Sequence, residues 1–352
     1  MSDILQQIAD NLGVGSYPPL NNSYLYAIAD HYGVDTTTSK NLMADILEAV
    51  GGDPSTSSDY LQDIVLALGG TVTINGNWME AWLAITAPPP AFAFTAKTDN
   101  TGVSTSTQFS LPLTTSTGLN IVVDWGDATT STITNHLVNT KHTYASPGTY
   151  SISITGTLPG FKFNNAGDKL KILNISSWGV LDITTNSAFN GCTNLTCSAT
   201  DAPTISTTDL SFTFNGATSF NGAIGNWDVS GVNNMTAMFA TATAFNQNIG
   251  TWDTSAVNNM FRMFRSATAF NQDISAWDVS QVSNFGQFMT GKTFSDYSAA
   301  NLDAIYNTWS LLPLQSSVTI AFNTIKYTAA GQAGKNILLA APNNWTVNDG
   351  GI

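Results

Sequence analysis

The chain has 352 residues, 43% of them hydrophobic and only 10% charged, so it can bury real cores and is not disordered by composition. Its net charge is −13, and its 11 Lys and Arg residues are scattered without a run of three, which argues against DNA, RNA or anionic membranes as partners. No stretch approaches the ~18 apolar residues of a membrane span.

Residues 1–86 carry helical signals in five similar segments. Ile8, Ile28, Ile46, Ile64 and Trp82 occupy equivalent places, spaced by 20, 18, 18 and 18. Each segment opens on a capping type (Ser2, Ser23, Ser39, Ser58, Asn77), and four close with glycine. Helices of about ten residues are too short to stand alone. The expectation is an all-α repeat module whose apolar stripes pack on one another or on a partner, serving attachment or oligomerisation. The opening MSDILQQIADNLGV lacks the basic and apolar regions of a signal peptide. Ala87-Pro88-Pro89-Pro90 then breaks the chain, because proline lacks a donor and keeps the residue before it from helix.

Residues 91–160 read as short strands between turns, a pattern that suggests a small β-sandwich. Phe92 and Phe94 alternate, and strands are expected at 121–123 and 150–154. The segment contains Trp125-Gly126-Asp127, His142-Thr143-Tyr144, and Pro147-Gly148-Thr149-Tyr150. In order and spacing these resemble the PKD family of immunoglobulin-like modules. The resemblance implies structural roles for Trp125, Asp127, His142, Tyr144 and Tyr150, with the Trp-Gly-Asp turn and the His-Thr-Tyr strand bracing each other.

Residues 165–290 hold a 25-residue repeat. Phe220, Phe245 and Phe270 recur at that interval, as do Trp227, Trp252 and Trp277, and Met235, Met260 and Phe285. A fixed period of this length signals stacked units, none of which can bury its aromatics alone. The aromatic positions are therefore read as structural. Asn221, Asn246, Gln247, Asn271 and Gln272, beside each unit, are the candidates for partner binding. The cycle stands as Phe245-Asn246, Ile249, Trp252-Asp253, Val257, Asn259-Met260 and Met263-Phe264. It resembles the BspA-like leucine-rich repeats of Mycoplasma-type lipoproteins and bacterial surface proteins. That resemblance implies a solenoid with one short strand per turn near residues 249–252 and a helical or irregular return through 260–264. Residues 291–352, with Trp309, an expected strand at 318–322 and Trp345, resemble the terminal cap of such repeats.

Chemistry is sparse. The histidines are His31, His136 and His142, and no Gly-x-Ser-x-Gly elbow is present. Residues 331–335 fail as a phosphate loop, since Ala329 stands where its first glycine belongs. Asp124 and Asp127 are read as turn residues in preference to calcium ligands, and Asp228, Asp253 and Asp278 as turn caps in preference to a metal ladder. Cys192 and Cys197 are read as two buried thiols, with a disulfide as the alternative. No catalytic, cofactor-binding or metal-binding residue is assigned.

The expected fold class is multidomain α+β: a helical module (1–86), a PKD-like β-sandwich (91–160), a leucine-rich-like solenoid (165–290) and its cap (291–352). The expected role is non-enzymatic. The chain would be a bacteriophage virion surface protein, such as a tail fibre, head fibre or capsid decoration. It would bind other virion proteins through the N-terminal module and a host protein or glycan through the repeats, with self-association a further expectation. A bacterial cell-surface adhesin is the alternative, and a glycan-active enzyme the second alternative.

Overall fold

A computed structural model describes residues 91–352, which form one unit. The expected helical module, 1–86, lies outside the described residues. β1 (Phe92–Lys97) has alternating burial and runs antiparallel to β6 (Thr149–Thr157), with Phe94 opposite Ile152. β3 (Asn120–Asp124) pairs with β6 on one side and with β4 (Thr130–Ile133) on the other. Against this sheet lies a two-stranded ribbon of β2 (Gln108–Ser110) and β5 (Lys141–Thr143). Phe94 and Phe109, one from each layer, meet at 5.7 Å between ring centroids.

The sheet does not end at residue 160. β1 also pairs with β7 (Ile172–Ser177), and β7 pairs in parallel with β9 (Thr196–Cys197), giving six strands in the order β4-β3-β6-β1-β7-β9. A second parallel pair, β8 (Asp182–Ile183) and β10 (Thr204–Ile205), lies nearby in the chain. The hydrophobic core is therefore continuous from Phe92 to Trp345.

From residue 209 onward the chain advances in 25-residue coils, each bonded in parallel to the next. Asp209, Asn234, Asn259 and Asn284 form single β-bridges in series. Between neighbouring coils, Met235 N–H donates to Asn259 O (2.8 Å), Ala237 to Phe261 O (2.7 Å) and Phe239 to Met263 O (3.0 Å). Inside, Phe214, Phe239 and Phe264 stack with centroids 5.8 Å apart, and Phe220, Phe245 and Phe270 stack at 6.2 and 5.9 Å. The two columns touch within each coil, as with Phe264 on Phe270 at 3.9 Å.

The expected fold class is corrected by this arrangement. Among the described residues the chain is mostly β and irregular rather than α+β, with two short α-helices, α1 (Ala299–Trp309) and α2 (Gln332–Leu339). The leucine-rich-like solenoid with a short strand near 249–252 is not formed, and of the helical or irregular return expected through 260–264 the irregular form is found. Residues 249–252 contain no strand, and 261–264 are turns. The reason the coil contacts stay short is local. Phe212, Ala237, Arg262 and Gln287 all have φ between 51° and 59°, and Gly216, Thr241, Ser266 and Gly291 repeat the left-handed conformation four residues later. A left-handed residue at each of these points keeps the inter-coil contacts at Asn234, Asn259 and Asn284 as single bridges, because an extended strand cannot propagate through it.

Beyond the coils, β11 (Thr319–Ala321) and β12 (Thr346–Asn348) pair in parallel, and Ile320 bridges to Phe285. Trp309 of α1 stacks on Phe285 at 5.5 Å, and Tyr297 stacks on Phe270 at 6.4 Å. The last coil is thus covered by aromatic side chains of the same chain, which closes an otherwise exposed edge.

Candidate functional site

The five residues expected to brace the sandwich come together. Trp125 is buried, its indole N–H donates to Ser131 Oγ (2.9 Å), and the His142 ring stacks on it at 4.8 Å. His142 Nε2 lies 2.8 Å from Asp127 Oδ2, and Asp127 Oδ1 accepts from Thr129 N–H and Oγ1–H. Partial burial pushes the Asp127 carboxyl up, but the bonds from Thr129 and His142 outweigh it and hold the group below the usual carboxylate range. Tyr144 donates to Trp125 O (3.1 Å) and stacks on Tyr150 at 3.7 Å. These bonds and stacks tie the Trp125–Ser131 turn to the His142–Tyr150 segment, the geometry of a brace.

The repeat asparagines form a row along the coils, and their amide oxygens point at the chain itself. Asn221 Oδ1 accepts from Asn246 N–H (2.9 Å) and Gln247 Nε2 (2.9 Å). Asn246 Oδ1 accepts from Asn271 N–H (2.8 Å) and Gln272 Nε2 (2.9 Å). Asn271 Oδ1 then accepts from Ser298 N–H (2.7 Å), which ties the row to the start of α1. Among the candidates for partner binding, Asn221, Asn246 and Asn271 thus spend side-chain acceptors, and Gln247 and Gln272 side-chain donors, on holding consecutive segments together.

The aspartates do the same within one coil. Ser230 donates to Asp228 Oδ1 through its hydroxyl (2.6 Å) and its backbone N–H (3.1 Å), and Ser255 bonds Asp253 likewise. Those bonds keep both exposed carboxyls below their ordinary range. Ser280 N–H bonds Asp278 at 2.9 Å. Among the described residues, no three His, Cys, Asp or Glu gather as metal ligands, and Cys192 and Cys197 are free thiols. Lys335, in the failed phosphate loop, is 2.8 Å from Asp349 Oδ2 and lies over the Tyr327 ring.

One surface feature was not singled out from the sequence. The chain's only two arginines, Arg262 and Arg265, sit on a single coil beside Phe261. The signal was available: the equivalent positions one coil earlier are Ala237 and Ala240. The Arg262 guanidinium covers the Phe261 ring at 4.6 Å, and its Nε donates to Gln287 Oε1 at 2.9 Å. Gly286 makes room for that ring, since a Cβ there would meet Phe261 Cδ2 at 2.9 Å. Arg265 is exposed, and among the described residues neither arginine is in an ion pair. On the far side of the small coil, Phe212 is 37% exposed. Ala237 and Ala240 are buried between these flanks.

Residues 163–302 match the family described as "Mycoplasma protein of unknown function, DUF285", a match over less than half of the chain. It agrees with the Mycoplasma-type repeat resemblance of this segment. The PKD-like reading of 91–160 rests on that segment's own residues. No curated protein and no solved structure matches the chain.

Proposed function

We propose that this chain is a non-enzymatic surface protein of a bacteriophage virion, a fibre or decoration protein that presents its coil stack to a host or partner molecule. The observation that carries this reading is the use of the repeat's polar side chains. Asn221, Asn246, Asp228 and Asp253 all bond to neighbouring backbone, which suits a rigid display surface. Residues 1–86 would join the other virion proteins. Mass spectrometry of density-purified particles tests the proposal. The chain should be recovered in constant ratio to the capsid protein, and its absence from washed particles refutes the virion role. A second reading, a bacterial cell-surface adhesin, is favoured by the family match, whose description refers to a Mycoplasma protein. Surface proteolysis of intact cells distinguishes it, because an adhesin is shaved from the cell while a virion protein stays inside until lysis.

A further inference from the structure

We infer that the amide row along the coils binds one extended, uncharged β-1,4-linked glycan, with one sugar ring to each coil. The inference deepens the display reading and rests on it only for its biological setting. The fold uses one half of each amide and fixes the other half. Asn246 N–H needs an oxygen to bond, so Asn221 Oδ1 is the atom engaged and Asn221 Nδ2 is left over. Gln247 Nε2 donates to Asn221 O (3.1 Å) and Oδ1 (2.9 Å), which leaves Gln247 Oε1. Asn246 and Gln272 repeat the arrangement one coil later. The pattern then continues into the cap. Ser298 N–H takes the place of the backbone donor, and Asn301 Nδ2 takes that of the glutamine, donating to Asn271 O (3.2 Å) and Oδ1 (3.3 Å). Each register thus presents an amide donor and an amide acceptor that bond nothing else among the described residues, on side chains that are exposed or partly exposed.

Pitch, polarity and charge select the occupant. Coils bonded in parallel advance by about 4.8 Å, so the ligand must offer an acceptor and a donor at that interval. A hydroxyl is both, and an extended β-1,4-linked glycan advances by nearly this length per ring with hydroxyls along its edges. An extended peptide is out of step, because its like-facing groups recur every ~6.6 Å. The row carries no charge of its own, and the net charge of −13 opposes a polyanion. A second column runs at the same pitch: Thr218, Thr243 and Thr268 each donate their hydroxyl to the carbonyl of the threonine one coil earlier. Between the two columns in the chain stand Ser219, Ala244 and Ala269, small residues that are exposed or partly exposed and leave room for the C–H face of a pyranose ring.

The test is calorimetric titration of the full chain with cellohexaose, mannohexaose, cellobiose, maltohexaose and the neutral peptide hexaserine. Binding of either β-1,4-linked hexasaccharide, with none of the curved α-1,4-linked maltohexaose, supports the inference. Cellobiose spans fewer registers and should bind about tenfold or more weakly than the hexasaccharide. Asn246→Asp keeps the oxygen that Asn271 N–H and Gln272 Nε2 bond and removes only the free donor. Its melting temperature should hold while hexasaccharide affinity falls about tenfold or more. Ala269→Glu alters an exposed position outside the core and should weaken binding to a similar extent, so the test stands if one variant fails to fold. No binding of either β-1,4-linked hexasaccharide overturns the inference, as does equal binding by maltohexaose, hexaserine or cellobiose, or an unchanged affinity in either folded variant. Particle mass spectrometry is independent of these titrations, so loss of the virion assignment and loss of the glycan site are separately visible.

Discussion

Lys292 caps Ala267: its Nζ donates to Ala267 O at 2.6 Å and to Thr268 O at 3.1 Å, although the side chain is fully buried and no carboxylate pairs with it among the described residues. In the preceding coils the carbonyl equivalent to Thr268 O takes a backbone N–H from the next coil, as Thr243 O takes Ala269 N–H at 3.2 Å. After residue 292 the chain leaves the repeat path, and the ammonium supplies the missing donor.

Burial lowers the Lys292 pKa from 10.5 to about 8. A folded pKa below the unfolded one means that the unfolded chain binds more protons between those values, so stability rises with pH across that window and is lost as pH falls toward 8. Cys192 and Cys197, whose pKa burial raises, act in the opposite direction in the same window, so the Lys292 contribution is read as a difference: the melting temperature of the wild type relative to Lys292→Met should climb from pH 8 to pH 10. A Lys292→Met profile parallel to the wild type would show that Lys292 is not responsible.

Tyr144, Tyr297 and Tyr306 act with the sign opposite to Lys292 above about pH 10, because burial raises their pKa in the fold. Their contribution is fully present below the unfolded tyrosine pKa and falls as the unfolded chain ionises. Absorbance of phenolate at 295 nm, followed with circular dichroism during alkaline titration, should show most of these groups ionising together with unfolding. Ionisation of all three well before unfolding would contradict the burial argument.

The asparagine row predicts a stability cost with no loss of surface charge. Asn246→Ala removes the acceptor for Asn271 N–H and Gln272 Nε2 and should cost about 1–2 kcal/mol in denaturant unfolding. Asn248→Ala, whose side chain bonds only Gly250 N–H in its own coil, should cost less.

The tryptophans differ in one atom. Trp252 Nε1 donates to Ile224 O at 3.1 Å, whereas Trp227 Nε1 is buried without a partner. Trp→Phe at both positions removes similar apolar volume. Trp252→Phe should therefore be worse by about 1 kcal/mol, the difference being an orphaned carbonyl. Equal costs would mean that the indole bond contributes nothing.

Left-handed Ala237 is a further handle. At φ of +51° an alanine is strained, so Ala237→Gly should hold or raise the melting temperature despite the greater freedom glycine has when unfolded. A fall of several degrees would show that the alanine methyl contributes more through packing than the strain costs.

Much of this was legible in the residues. The brace of Trp125, His142 and Tyr144 was expected only as what the resemblance of their order and spacing to the PKD family implies. The 25-residue spacing located Phe220, Phe245 and Phe270 in one column because stacking repeats the sequence period in space. The reduction of the inter-coil contacts to single bridges was hidden because the left-handed sites hold Phe212, Ala237, Arg262 and Gln287, and none of these residue types advertises positive φ. The continuity of the sheet was equally hidden, since the pairing of β1 with β7 joins residues about 80 apart and leaves no local mark. Lys292 could not be read as a cap without knowing which carbonyls end the stack.

Display on the virion is the central claim, and immunogold electron microscopy of unfixed particles and of host cells tests it most directly, using antibody raised against the full chain. The account predicts gold on intact particles, lost when the gene is deleted. Label confined to the bacterial cell surface, with clean particles from the same culture, would contradict it.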